Sequence, residues 1–151
     1  MIRIACALLA LGCVEPTAVM PTLESLPAVE SQEAPVSSFA IDAPGRTIYV
    51  RFAGLQGDGR EPVHVLIKRM FDSADAIAAE KLIVDLRAVS GGDARLLVPL
   101  IRGIMTRERF LRSGALFVVV GPDSFSPGQN AATLLARYAK PLVVQQLQWS
   151  F

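Results

Sequence analysis

The feature that most constrains this chain is an alternation, beginning near residue 38, of short β-type runs with longer stretches of helical period. Residues 47–52 (Thr-Ile-Tyr-Val-Arg-Phe) are mostly β-branched and aromatic, and residues 82–84, 115–120 and 142–144 are short apolar runs. Each has the length and composition of a strand. Between the first two, residues 62–81 place Val63, Leu66, Ile67, Met70, Phe71, Ala74, Ile77 and Ala78 on one helical face. Residues 95–107 repeat the pattern through Leu96, Leu97, Leu100, Ile101 and Ile104, with Pro99 in the first turns, where its missing N–H is tolerated. Residues 126–140 form a third helical stretch. The order β-α-β-α-β-α-β with apolar strands predicts an α/β domain, a mainly parallel sheet lying between helix layers. Residues 54–59 are expected to form a turn, and Ser90-Gly91-Gly92-Asp93 to break the chain after a strand that ends at Asp85-Leu86-Arg87.

The remainder of the chain reads differently. Met1-Ile2-Arg3 followed by an eight-residue apolar run, 4–11, has the form of an export signal and is too short to span a bilayer. Gly12-Cys13 offers a lipoprotein cleavage point, although Ala10 and Leu11 occupy places where such signals usually carry leucine and a small residue. The expectation is export, to the periplasm or to a membrane through acylated Cys13; a misassigned start would leave the chain cytoplasmic. Residues 14–37 hold four prolines and four glutamates, with no lysine or arginine, and read as a disordered linker. All but Arg3 of the 15 basic side chains, and all but those four of the 14 acidic ones, lie in residues 38–151, a net of +4 there. That mild excess gives no reason to expect nucleic acid, and the run Arg102, Arg107, Arg109, Arg112 suits a solvated helix terminus. One histidine, and no cysteine after Cys13, argue against a metal site, and no nucleotide or other cofactor motif is present.

In a parallel α/β sheet, sites form where strand C-termini meet helix N-termini. Two loops here qualify. Ser90-Gly91-Gly92-Asp93 can converge backbone N–H groups on an anion, or can simply be a tight connection with Asp93 capping the next helix. In Ser124-Phe125-Ser126-Pro127-Gly128-Gln129-Asn130, Ser126 lies at a helix start. With Gln129 three residues on and Pro127 between, local grammar reads it as a capping box.

Taken together, the two loops resemble a known family. Leu82-Ile83-Val84-Asp85-Leu86-Arg87-Ala88-Val89-Ser90-Gly91-Gly92 resembles the "hydrophobic-DLR-x-N-x-GG" segment of the C-terminal processing (tail-specific) serine peptidases. Ser124-Phe125-Ser126 is similar to that family's T-x-S nucleophile turn, and Gln129-Asn130 to residues that follow it in the non-processing hydrolase branch. The resemblance covers about residues 40–145. It implies a Clp protease/crotonase-like core, Ser126 as nucleophile, and an oxyanion hole built from N–H groups around Gly91 or Gly92. It also implies unfolded or C-terminal peptide as substrate, added as a strand at a sheet edge.

The departures are specific. Ala88 and Val89 stand where the motif's asparagine belongs, and Pro127 has no N–H to give an oxyanion. Gln129 replaces a glutamate common in the processing peptidases. The family's base lysine lies some twenty-five residues after the serine, but no lysine follows Lys140. Residues 145–151 replace the usual Gly-rich loop, so the domain is expected to be a truncated or degenerate member, incomplete at its C-terminus, with no room for a separate peptide-binding domain in residues 14–37. Lys140 would stand about 21 Å along the helix from Ser126, which leaves His64 as the other conventional base. The sequence therefore supports a serine hydrolase-like domain with little activity of its own, or a non-catalytic peptide-binding or vestigial module. An acyl-thioester-binding relative shares the fold logic without a motif here. Oligomeric state is not encoded in any feature of the sequence.

Overall fold

The computed structural model describes residues 37–55 and 61–145. Its elements are β1 (Ser38–Asp42), β2 (Thr47–Leu55), α1 (Val63–Ala76), β3 (Lys81–Gly92), α2 (Val98–Met105), β4 (Leu116–Val120), α3 (Pro127–Ala139) and β5 (Leu142–Gln145). The five strands form one sheet in the order β1-β2-β3-β4-β5. β1 is antiparallel to β2 and every other pairing is parallel. The expected signal, most of the linker, residues 56–60 and residues 146–151 lie outside the described residues; of the expected turn at 54–59, Gly54 and Leu55 instead end β2. Among the described residues no helix is long and apolar enough to cross a membrane.

β1 is an addition to the expected strands. Its hairpin is closed by the Asp42 carboxylate, which accepts the Gly45 N–H at 3.0 Å. The sheet also corrects the expectation of two helix layers. Alternate strand residues Ile48, Val50, Leu82, Val84, Leu116 and Val118 share one core with the buried faces of α1, α2 and α3. All three helices therefore cover the same face. Strands β2 to β5 follow in chain order, so right-handed crossovers bring each helix to the same side. The opposite face carries a smaller apolar cluster, Ile83, Phe117 and Val119, against which Tyr49, Leu142 and Val144 pack.

Two details fix the helix layer. A side chain at Gly103 of α2 would collide with the Phe71 ring of α1, so glycine sets how closely these helices approach. The other correction concerns the arginine run. Arg107 donates to the Asp75 carboxylate at the end of α1 (Nη2···Oδ2 2.7 Å) and stacks over Phe71 at 4.3 Å, while Arg109 pairs with the same carboxylate. These cations clasp α1 to the segment after α2 instead of only decorating a solvated terminus.

β3 is the longest strand and runs through both glycines, where the sequence predicts a break. Its pairing with β2 shifts register twice, between Arg51 and Ala53 and between Ala53 and Leu55, through Ala53↔Ala88 to Leu55↔Gly92. Gly92 has φ +114°, and a side chain there would collide with the Leu55 carbonyl. Tertiary pairing thus overrides the local turn signal. Asp93 behaves as expected of a cap: its carboxylate accepts the Arg95 N–H at 2.9 Å and opens the 3-10 turn of residues 94–97.

Candidate active site

The turn between β4 and α3 is tied to β3 by backbone and side-chain bonds. The Ser124 hydroxyl donates to the Leu86 carbonyl and accepts the Gly121 N–H, both at 2.9 Å, and its side chain is only 2% exposed. The Phe125 N–H donates to the Val89 carbonyl at 3.0 Å. Gly121 and Gly128 flank the turn where it rests on β3: an added Cβ would stand 3.3 Å from Arg87 Cγ and 3.2 Å from Val89 Cβ respectively. Leu86, Val89 and the glycines thus form a seat, and Ser124 is the bolt that holds the turn in it.

Ser126 comes next, and its backbone is unusual. It has φ 42° and ψ −90°, and its side chain makes no capping hydrogen bond. The capping box expected from Ser126 and Gln129 is therefore absent; the positive φ gives Ser126 a backbone unlike the extended one from which an N-cap hydroxyl reaches the N–H groups of the first turn. Lys140, also at positive φ (47°), has ψ 53° and occupies the ordinary left-handed region of a helix C-cap. Ser126 lies outside it, in a conformation that costs a non-glycine residue on the order of 1–3 kcal/mol. Ser126 thus combines a strained backbone, an exposed position and a place at a strand-turn-helix junction.

The remaining expected residues fall around this point unevenly. Gly91 and Gly92 lie just beyond Val89, on the strand to which Phe125 is bonded, so the structure brings them to the same end of the sheet as Ser126. The φ and close approach of Gly92 are accounted for by its packing on Leu55. Pro127 occupies the first helical position, as expected, and supplies no N–H. His64 is exposed at the start of α1, which follows the C-terminal end of β2. Helix α2 contacts both α1 and α3 and stands between them, and no hydrogen bond joins His64 to Ser126. Lys140 ends the helix that Ser126 begins. Among the described residues no base is bonded to the serine, and no group of three or more His, Cys, Asp or Glu could hold a metal.

One cluster was not weighed from sequence. Asp85 is fully buried on the helix-free face, where it accepts the Tyr49 hydroxyl at 2.5 Å, the Arg87 backbone N–H at 2.9 Å and Arg87 Nη2 at 2.6 Å. Burial pushes the Asp85 carboxyl up, but the Arg87 side chain, the Tyr49 hydroxyl and the Arg87 N–H outweigh it and hold it below the usual carboxylate range. Burial, and then the bond to Asp85, push Tyr49 up to about 12. Both shifts hold Asp85 as a carboxylate beside the Arg87 guanidinium and keep the Tyr49 hydroxyl protonated. The cluster's part in the site is positional, since the Arg87 stem lies against Gly121 at the base of the turn. The D-x-R spacing was legible as one strand face; the Tyr49 partner depends on strand register.

No protein-family model matches the chain, and no curated protein matches it significantly.

Proposed function

We propose that the chain is a serine-type peptidase-like domain of the tail-specific kind, with a Clp protease/crotonase-like core, in which Ser126 occupies the nucleophile position. The observation that carries this reading is the strained, uncapped backbone of Ser126 on a turn bolted to β3 by Ser124 and Phe125. Strain of this sort persists where surrounding structure enforces it, and it clusters at active sites. Backbone N–H groups around Gly91 and Gly92 are the oxyanion donors in this reading. An unfolded or C-terminal peptide is the substrate class. β5 pairs only with β4 among the described strands, so its free edge is where such a peptide would add as a strand.

The chemistry is incomplete. A serine hydroxyl needs a base to become a strong nucleophile, and positioned proton transfer contributes about two to four powers of ten. Pro127 removes one donor, a deficit of about 2.7–4 kcal/mol at an oxyanion. Peptide turnover by the isolated chain is therefore expected to be negligible. These two deficits favour a second reading, a binding or vestigial module that retains the turn without chemistry. An activated aryl ester, whose leaving group needs no protonation, separates the two. The first reading predicts a slow release of about one equivalent of phenol with an acyl group left on Ser126, lost in Ser126→Ala. Identical behaviour of the folded wild-type and Ser126→Ala chains selects the module.

A further inference from the structure

Two consecutive residues of the turn before α3 stand out in solvent, Phe125 and Ser126, while Ser124, Pro127 and Gly128 on either side of them are buried. Phe125 is 66% exposed, more than any other large apolar residue among the described residues, the next being Tyr138 and Val143 at 49%. An isolated apolar side chain on a surface is ordinary. What sets Phe125 apart is that its backbone is fixed on both sides. Its N–H donates to the Val89 carbonyl at 3.0 Å, and its carbonyl accepts the Gly128 N–H at 3.1 Å. The inward place beside it belongs to Ser124, whose hydroxyl donates to the Leu86 carbonyl and accepts the Gly121 N–H. The fold thus holds a phenyl ring in water one residue from the strained serine.

We propose that Phe125 is the recognition residue of this turn, binding an aromatic or large aliphatic side chain of the unfolded peptide presented to Ser126. This preference rests on the reading of Ser126 as the nucleophile position, and adds a substrate class to it. Consecutive Cα atoms are about 3.8 Å apart, so a residue whose carbonyl stands at Ser126 has its side chain within one side-chain length of the ring. Contact with a phenyl group favours other rings and large aliphatic chains, and a docked side chain gives Phe125 the burial it lacks in the free protein. The surroundings select in the same direction. The other exposed groups of the turn are Pro122 and Asp123 before the ring, and Gln129 and Asn130 after it. Asp123 carries the one charge of residues 121–130, so an acidic side chain is disfavoured there. Replacing the ring costs the fold little, because it lies mostly in water and the backbone bonds of residue 125 are open to any residue but proline.

The test uses the full chain and two kinds of probe. Acylation of Ser126 is followed by peptide mass with the p-nitrophenyl esters of acetic and 3-phenylpropanoic acid, each rate divided by that of the same ester with hydroxide. The wild type should favour the phenylpropanoate about tenfold, the size of a modest apolar contact. Phe125→Ala should lose that preference and Phe125→Leu should keep part of it, both with thermal midpoints within about 2 °C of the wild type. Binding is read without chemistry in Ser126→Ala, by saturation transfer from the protein to N-acetylphenylalaninamide and to N-acetylalaninamide. Transfer to the aromatic amide should be several times the larger, and should fall to the level of the alanine amide in Ser126→Ala/Phe125→Ala. Such binding with no acylation of Ser126 by either ester would support the contact and refute the nucleophile. Equal normalised acylation of Ser126 by the two esters, or a preference that survives Phe125→Ala, would overturn the contact and leave the nucleophile standing. Aromatic transfer that survives Phe125→Ala, or that never exceeds transfer to the alanine amide, would overturn the contact as well.

Discussion

Replacing Ser126 by glycine should stabilise the protein. At φ 42° and ψ −90°, serine bears a backbone cost that glycine largely escapes, on the order of 1–3 kcal/mol. Glycine gives back about 0.5–1 kcal/mol through its greater freedom in the unfolded chain. The net is a gain of about 1 kcal/mol, or about 3–5 °C in Tm for a domain of this size. Ser126→Ala is the control. Alanine shares the strain, and the serine hydroxyl caps nothing, so the change should fall within about 0.5 kcal/mol of zero. A true N-cap would instead lose about 1 kcal/mol on truncation and little on replacement by glycine. Urea unfolding with m held constant separates the cases. A loss near 1 kcal/mol in Ser126→Ala, or any loss in Ser126→Gly, would show that the turn is unstrained and that Ser126 is an ordinary cap. The predicted combination, more stable without the serine, is what a residue kept for chemistry produces.

Asp85→Ala should cost about 3–5 kcal/mol, because it removes a buried carboxylate that accepts the Tyr49 hydroxyl and Arg87 Nη2, and a shift in the urea midpoint reads it directly. Gly92→Ala should cost at least about 2 kcal/mol, combining a positive φ with a collision against the Leu55 carbonyl, while Gly54→Ala, whose added Cβ meets nothing, should cost less. The Asp75 carboxyl is held at about 2, chiefly by its hydrogen bond to Arg107 and then by Arg109, against an ordinary value of 3.8. Its folded value is depressed, so its stabilisation is present above about pH 4 and is lost as pH falls toward 2. Exposure to solvent limits this to about 1 kcal/mol, and Asp75→Asn should flatten that part of the stability–pH curve.

Much of the fold follows from periodicity. The helical spacing of Val63 to Ala74 and the apolar runs at residues 82–84 and 115–120 locate the helix layer and the central strands, because burial on a sheet imposes those patterns directly. What escaped is what depends on partners distant in sequence. Phe39 and Ile41 alternate as a strand should, but β1 is a mostly exposed edge, so its pattern is weak. Ser90-Gly91-Gly92 has the composition of a turn, and only the approach of Leu55 draws it into β3. The single helix layer follows from strand order, which apolar strands alone do not reveal. At the site, the position of Ser126 at the mouth of a helix was legible, whereas its uncapped, positive-φ backbone was not. S-x-x-Q is the grammar of a cap, and no local sequence pattern reports the φ that prevents capping. Ser124 illustrates the same limit: its value lies in reaching Leu86, thirty-eight residues away.

The central claim is that Ser126 is presented as a nucleophile. It is tested most directly by incubating the full chain with a fluorophosphonate and locating the adduct by peptide mass. The account predicts slow covalent labelling of about one equivalent, at Ser126 and not at the buried Ser124, absent from Ser126→Ala and from the urea-unfolded chain. A folded chain that stays unlabelled, or that is labelled equally after Ser126→Ala, would contradict it.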